Sequence, residues 1–232
     1  MPQELTQLHT LVPQTIWTAQ QPLRLGPLKI QTRMTVVRLG NGKLWVHSPI
    51  RPTPDVLAEL ETLGPVGYVV APNTSHHLFF ADFLRHFPEA EGCVAPGLHR
   101  KRPDLRVHAV LTPELAQRWQ PDLTAIAVEG LPALNETVWF HPVSGTLIVT
   151  DLLFCFSDRA QWLGPWVARL LGVWQTLGMS RTLKWLVQDR AALQRTARQL
   201  CALEVRRVVV AHDTVVEHDA RDALRRAFAW LG

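Results

Sequence analysis

VVAPNTSHH, residues 69–77, is the most informative stretch of this 232-residue chain. A run of small and β-branched apolar residues ends at Ala71, a polar loop begins at Pro72, and the loop closes on the neighbouring histidines His76 and His77. Apolar runs bounded by proline and asparagine are typical of strands that end in a loop. Because imidazole both ligates metals and exchanges protons near neutral pH, the histidine pair is a candidate functional site.

Two later apolar runs end on polar groups in the same way. Residues 147–151, LIVTD, end on the carboxylate of Asp151, and residues 208–213, VVVAHD, end on His212 and Asp213. In layered α/β proteins, sites form outside strand ends, so separate strands can bring such groups together. Two or three imidazoles with one carboxylate suit a divalent metal such as zinc. Taken singly, a strand-end histidine is often a hydrogen-bonded structural residue, and an aspartate after a strand often caps a helix.

Apolar runs and helical patterns alternate along the chain, which indicates an α/β fold. The apolar runs predict strands at residues 34–39, 44–47, 66–71, 125–128, 137–140, 146–150 and 208–211. The helical patterns predict helices at residues 54–63, with Thr53 as N-cap, and at 78–87, 113–119 and 219–231. Short turns at Gly40-Asn41-Gly42 and Ser144-Gly145 predict two hairpins.

Composition narrows the class of protein and its partners. Hydrophobic residues make up 47% of the chain, enough for a sizeable core, and we expect one domain. The net charge of +4 is scattered along the chain, so no nucleic-acid partner is expected. Cys93, Cys155 and Cys201 lie in apolar stretches without CxxC spacing and are predicted to be reduced core residues. Because the N-terminus is polar and lacks the pattern of a secretory signal, we expect a cytoplasmic protein.

A predicted helical insertion at about residues 161–203 is rich in tryptophan. Four of the nine tryptophans lie between Trp162 and Trp185. Arg169, Arg181 and Lys184 interrupt the apolar residues of this region, so no membrane span is predicted. The tryptophans either pack in the core or form an exposed lid or partner surface, and a homodimer through these helices is one such arrangement.

The order of these features resembles the metallo-β-lactamase-like hydrolase superfamily, and most of all an uncharacterised bacterial family within it. The resemblance rests on the histidine-bearing loop, the strand that ends in Thr-Asp-Leu-Leu-Phe, and the late strand that ends in Ala-His. It implies a four-layer αββα sandwich in which residues 1–232 form one domain. The stretches that fit the pattern cover nearly the whole chain: residues 33–38, 44–49, 73–79, 96–98, 135–136 and 145–154.

The superfamily's metal motif is only partly present. Its pattern, His-x-His-x-Asp-His, falls on Pro72, Thr74, His76 and His77, so only the last position keeps its identity. The superfamily's later Gly-His segment corresponds to residues 130–136, which contain no histidine. The resemblance therefore implies that one of the two metal positions is absent. It implies that the other is a single-metal site of His76, His77, Asp151 and His212.

Further residues are candidates for roles around this site. Glu136 and Asp213 are candidates for a general base, and Glu136 and His141 are candidates for an alternative ligand or for a group behind the ligands. Asn73 is a candidate to hydrogen-bond a substrate or to fix its loop. For Glu136, His141 and Asn73, the alternative is a purely structural role.

Three hypotheses for the function follow from this resemblance. In the superfamily, a metal lowers the pKa of the water that attacks an ester, thioester, amide or phosphodiester. The first hypothesis is a hydrolase that holds one zinc, iron or manganese ion and acts on a small-molecule substrate that the sequence does not identify. The second is a non-catalytic module that keeps the fold for binding or interaction, since half of the metal motif is absent. The third is that the histidines are structural and bind no metal.

Overall fold

A computed structural model describes residues 6–25, 28–157 and 164–232. The strands within these residues are β1 (His9–Val12), β2 (Ile16–Leu25), β3 (Leu28–Arg38), β4 (Leu44–His47), β5 (Val66–Ala71), β6 (Glu91–Val94), β7 (Ala109–Val110), β8 (Thr124–Ala127), β9 (Thr137–His141), β10 (Thr146–Ile148), β11 (Arg207–Val209) and β12 (Val215–Val216). The α-helices are α1 (Pro54–Leu63), α2 (Phe80–His86), α3 (Leu98–Lys101), α4 (Pro113–Ala116), α5 (Gly164–Leu171), α6 (Arg181–Trp185), α7 (Arg190–Ala202) and α8 (Ala220–Phe228). The chain divides into two compact units, Met1–Pro22 with Thr32–Leu111, and Leu23–Gln31 with Thr112–Gly232.

The first unit is built on a seven-stranded sheet in the order β1-β2-β3-β4-β5-β6-β7. Strands β3 and β4 form the antiparallel hairpin that the turn at residues 40–42 predicts. From β4 to β7 the strands run parallel, with His47 opposite Val70. Because neighbouring parallel strands end at the same edge of a sheet, the residues that follow β4 and β5 are neighbours.

The core of this unit lies between the sheet and helices α1 and α2. Helix α1 begins where Thr53 accepts a hydrogen bond from the Val56 amide, and Pro54 occupies its first turn. Val56 and Leu60, four residues apart on one face, are buried against the strands. Phe80 and Phe83 of α2 pack into the same cluster. The cluster fixes the strand β5 and hence the loop that follows it.

The second unit is built on a five-stranded sheet in the order β12-β11-β10-β9-β8. Strands β9 and β10 form the second predicted hairpin, with His141 opposite Thr146. Strand β10 pairs in parallel with β11, with Ile148 opposite Val209. The core includes buried residues of this sheet and of helices α7 and α8. Because β10 and β11 are parallel, the residues after them also emerge at one sheet edge.

Most predicted elements are present, with shifted ends. Helix α1 has the predicted bounds, whereas α2 begins at Phe80, two residues later than predicted. Strand β10 stops at Ile148 because the amides of Thr150 and Asp151 donate to the Glu136 side chain instead of to a strand. All three cysteines are free, as predicted, and Cys93 and Cys155 are buried in the core, whereas Cys201 is only half-buried. Within the described residues, no helix is long and apolar enough to cross a membrane.

Candidate functional site

The loop after β5 is fixed by Asn73. This side chain is fully buried, and its Oδ1 atom accepts hydrogen bonds from the amides of Ser75 at 2.8 Å and His76 at 2.7 Å. An asparagine that binds the backbone two and three residues later closes a tight turn. Asn73 thus holds the backbone of His76 in place, which is one of its two predicted roles. Its contact with a substrate stays a prediction.

Ser48 orients the ring of His76. It directly follows β4, adopts a φ of 51°, and its Oγ lies 2.7 Å from Nδ1 of His76. A hydroxyl on Nδ1 fixes the rotation of the imidazole, and the role of His76 as a metal ligand stays a prediction. Ser48 is not among the site residues that the sequence predicts. The signal was a hydroxyl residue directly after a strand whose parallel neighbour carries the histidine loop.

His77 has a different partner from His76. Its Nδ1 lies 3.3 Å from Nη1 of Arg102, and a guanidinium can only donate, so Nδ1 is the acceptor. Burial, with the charges of Arg102 and Lys101, lowers the pKa of His77 below its usual value. Lys101 also donates to the carbonyl of Thr74 at 2.8 Å. Basic side chains therefore border the histidine loop, and the ligand role of His77 stays a prediction.

Asp151 and His212 meet at the ends of β10 and β11 in the second unit. Nε2 of His212 lies 3.3 Å from Oδ1 of Asp151, and Nδ1 of His212 lies 2.7 Å from the carbonyl oxygen of Gln31. A carbonyl only accepts, so Nδ1 carries a proton, and in the neutral ring the Nε2 lone pair faces the carboxylate. A positive charge at Nε2, either a second proton that makes an ion pair with Asp151 or a metal ion, makes this contact attractive. The donor set fits a divalent metal, because ligating histidines commonly donate their other ring N–H to a carbonyl.

Glu136 holds the backbone that carries Asp151. The side chain is buried, and its carboxylate accepts three backbone hydrogen bonds: Thr150 at 2.8 Å, Asp151 at 2.8 Å and Leu152 at 3.1 Å. Three charge-assisted hydrogen bonds fix the bend after β10, so the Glu136 carboxylate holds the backbone from which the Asp151 side chain extends. The role of Glu136 as a general base stays a prediction.

Residues 13–163 match a protein family described as a domain of unknown function, DUF4336. The chain belongs to this family. No protein of curated function matches the sequence. The DUF4336 match includes the histidine loop, Glu136 and Asp151, whereas His212 lies beyond it.

Solved structures with the same fold are metallo-β-lactamases and their relatives. A metallo-β-lactamase from Erythrobacter litoralis is 13% identical with a TM-score of 0.67, covering 97% of this chain and 96% of that one. The mono-zinc form of FIM-1 from Pseudomonas aeruginosa is 11% identical with a TM-score of 0.65, covering 97% and 95%. The metal-soaked Flv1 flavodiiron core from Synechocystis sp. PCC6803 is 13% identical with a TM-score of 0.65, covering 98% and 62%. The predicted metallo-β-lactamase-like α/β fold is confirmed.

Two further residues predicted from the sequence have other positions or partners: His141 lies away from Asp151, and Asp213 accepts a backbone hydrogen bond. His141 pairs with Thr146 at the start of β10, whereas Asp151 follows the end of that strand. The ring of His141 bonds Ser144 at 2.8 Å, and burial lowers its pKa. Asp213 accepts a hydrogen bond from the amide of Ser157. Two roles stay predictions: His141 as an alternative ligand or a group behind the ligands, and Asp213 as a general base.

Proposed function

We propose that this DUF4336 chain binds one divalent metal ion through Asp151 and His212, which lie together in the second unit, and through His76, which the resemblance to the metallo-β-lactamase-like motif implies as a third ligand. The observation that carries the proposal is the Asp151–His212 pair, in which the carbonyl of Gln31 holds the proton of Nδ1 and Nε2 faces the carboxylate. Two imidazole nitrogens and one carboxylate oxygen suit zinc, iron or manganese. Of these metals we favour zinc.

We further propose that the metal serves hydrolysis of a small-molecule substrate. A bound divalent ion would polarise the bond to be cleaved and lower the pKa of a water molecule. The chain's own residues keep the ligands in position: Ser48 orients His76, Gln31 orients His212, and Glu136 fixes the backbone at Asp151. The similarity to metallo-β-lactamases supports this proposal at the level of the fold. We also propose that the protein acts in the cytoplasm.

Metal analysis of protein purified without a histidine tag tests the ligand set. We expect about one metal ion per chain in the wild type. The metal content should fall by at least about tenfold in Asp151→Asn and in His212→Ala. His141→Ala is the matched control, because this buried histidine ends β9, opposite the start of β10 and away from Asp151, and the variant should keep its metal. Circular dichroism checks that each variant is folded. Metal-free wild-type protein whose melting temperature does not change when zinc is added would contradict the proposal.

The second candidate function is a non-catalytic binding module. It is favoured by Pro72 and Thr74, which stand where the metallo-β-lactamase-like motif has two histidines. Assays of the zinc-loaded protein on an ester, a thioester and a phosphodiester separate the two functions. Hydrolysis that is lost in Asp151→Asn supports the enzyme, whereas full metal content without turnover of any bond type supports the module.

A further inference from the structure

Helix α5 presents an apolar face to solvent. Trp166 is 80% exposed and Leu170 is 69% exposed, whereas Ala168 is buried. Trp166, Arg169 and Leu170 are spaced at i, i+3 and i+4, so they share one face of the helix. The guanidinium of Arg169 lies 6.0 Å from the ring centre of Trp166 and 5.0 Å from that of Trp174. The outward face of α5 is therefore aromatic and aliphatic with one cation at its centre.

The end of helix α6 adds a second exposed apolar group. Trp185 is 85% exposed and Leu186 is 41% exposed. Helices α5 and α6 contact each other. Core packing, one of the two alternatives for the tryptophan-rich region, therefore does not apply to Trp166 or Trp185, while Trp162 lies outside the described residues. We call Trp166, Arg169, Leu170, Trp185 and Leu186 the tryptophan surface.

The charged residues in the segment that carries the tryptophan surface are all basic, up to Asp189, which caps α7. Residues 164–188 contain Arg169, Arg181 and Lys184 but no aspartate or glutamate. Arg181 is exposed, and its side chain lies beside Gly172, directly after α5. Because cations lie among exposed tryptophan and leucine, a partner must offer both negative charge and an apolar interior.

We propose that the tryptophan surface binds the surface of an anionic lipid bilayer. Tryptophan prefers the level of the lipid headgroups, and leucine beside it enters the acyl region. Arginine can pair with lipid phosphate while its stem stays in the apolar layer. The protein is thereby held at the membrane face without crossing the bilayer.

A second copy of this chain fits the tryptophan surface less well. A two-fold dimer places the same patch on both subunits, so the cations of one copy would face those of the other. A single-stranded nucleic acid also fits less well, since Leu170 and Leu186 offer no aromatic plane on which a base could stack. The lipid surface satisfies both the charge and the aliphatic side chains. The predicted homodimer remains an outcome of the test.

Co-sedimentation with vesicles tests the proposal on the full chain. Wild-type protein should bind phosphatidylcholine vesicles that contain phosphatidylserine and should bind pure phosphatidylcholine vesicles much more weakly. The double variant W166S/L170S should lower the partition coefficient by about tenfold or more, because its apolar contacts with the lipid are lost. Arg169→Glu should lower the partition coefficient by about thirtyfold. The substitution changes the charge by two units, and each unit near an anionic membrane changes binding by roughly fivefold.

Val143→Ser is the matched control for an exposed apolar residue. Val143 is 83% exposed in the turn between β9 and β10, and its replacement should leave vesicle binding unchanged. Analytical ultracentrifugation of the same samples measures self-association. Wild-type protein that binds neither vesicle would overturn the proposal. A dimer that dissociates in W166S/L170S while vesicle binding is absent would also overturn it and assign the surface to a second copy.

Discussion

His47 is buried at the end of β4, stacked on Trp45 with ring centres 5.2 Å apart. Burial, and secondly the charge of His76, lowers the pKa of His47 from 6.5 to about 3. In the unfolded chain His47 binds a proton below about pH 6.5, whereas in the folded chain it stays neutral down to about pH 3. The free energy of unfolding therefore decreases as the pH falls through this range. Its Nε2 atom has no hydrogen-bond partner among the described residues.

We predict that His47 alone lowers the free energy of unfolding by about 2 kcal/mol between pH 7 and pH 5. His47→Phe removes the titrating group and the unpartnered nitrogen while keeping an aromatic ring against Trp45. Urea unfolding at both pH values should show a smaller loss in the variant than in the wild type. An equal loss in both proteins would show that other groups cause the acid sensitivity.

Glu136→Gln should disturb both the fold and the metal site, because an amide NH₂ would replace one oxygen that accepts a backbone hydrogen bond. We expect a loss of about 1–3 kcal/mol in the free energy of unfolding and a metal affinity lower by about tenfold to a hundredfold. Glu129→Gln is the control, since this carboxylate forms an exposed ion pair with Arg195 and should change stability by less than about 1 kcal/mol. Equal effects of the two substitutions would contradict the positioning role of Glu136.

At the residue scale, the candidate metal ligands could be predicted from the sequence, whereas the groups that hydrogen-bond and orient these ligands could not. Asp151 and His212 could be predicted because each follows an apolar strand, and they lie 3.3 Å apart. Ser48 and the carbonyl of Gln31 could not, because serine is common after strands and any residue has a carbonyl. Only the folded structure places the Ser48 hydroxyl beside His76 and the Gln31 carbonyl beside His212.

At the scale of elements, the loop before α7 depends on a glycine. Gly130 has a φ of +77°, and a Cβ atom there would lie 2.1 Å from the carbonyl oxygen of Asp189, the residue that caps α7. The carbonyl of Gly130 also accepts hydrogen bonds from Gln188 and Asp189. A side chain at this position must therefore push the loop off the start of the helix.

Gly130→Ala should lower the free energy of unfolding by more than about 3 kcal/mol, because a backbone clash adds to the strain of a positive φ. Gly42→Ala is the matched control: its φ of +80° is similar, but no atom lies within 4 Å of the added Cβ. Strain alone should cost that variant about 1 kcal/mol. Chemical denaturation measures both, and similar losses would show that the contact with Asp189 does not matter.

The elements that the sequence missed lack a clear periodic pattern. Strand β6, Glu91–Val94, is four residues with a glycine, and it forms because its neighbour β5 offers a parallel edge. Gly92 lets Leu84 and Phe80 approach to distances that a Cβ atom would not allow. Helix α1 could be predicted with its bounds because Thr53, Pro54 and the spacing of Val56 and Leu60 all favour the same helix.

At the scale of the whole molecule, the order of strand-end motifs predicted the fold although no single motif is specific. Matches at 10–13% sequence identity to solved metallo-β-lactamase-fold proteins confirm it. The exposure of the tryptophans could not be predicted, because tryptophan is equally suited to a core and to a surface that binds lipid. The single-domain organisation of residues 1–232 stays a prediction.

The central claim is that His76, Asp151 and His212 hold one divalent metal. Anomalous diffraction at the zinc absorption edge, from crystals of tag-free protein grown with zinc, tests it most directly. We predict one strong anomalous peak coordinated by these three side chains, absent from crystals of Asp151→Asn grown in the same way. Wild-type crystals with no peak, or with a peak on other residues such as His141, would contradict the claim.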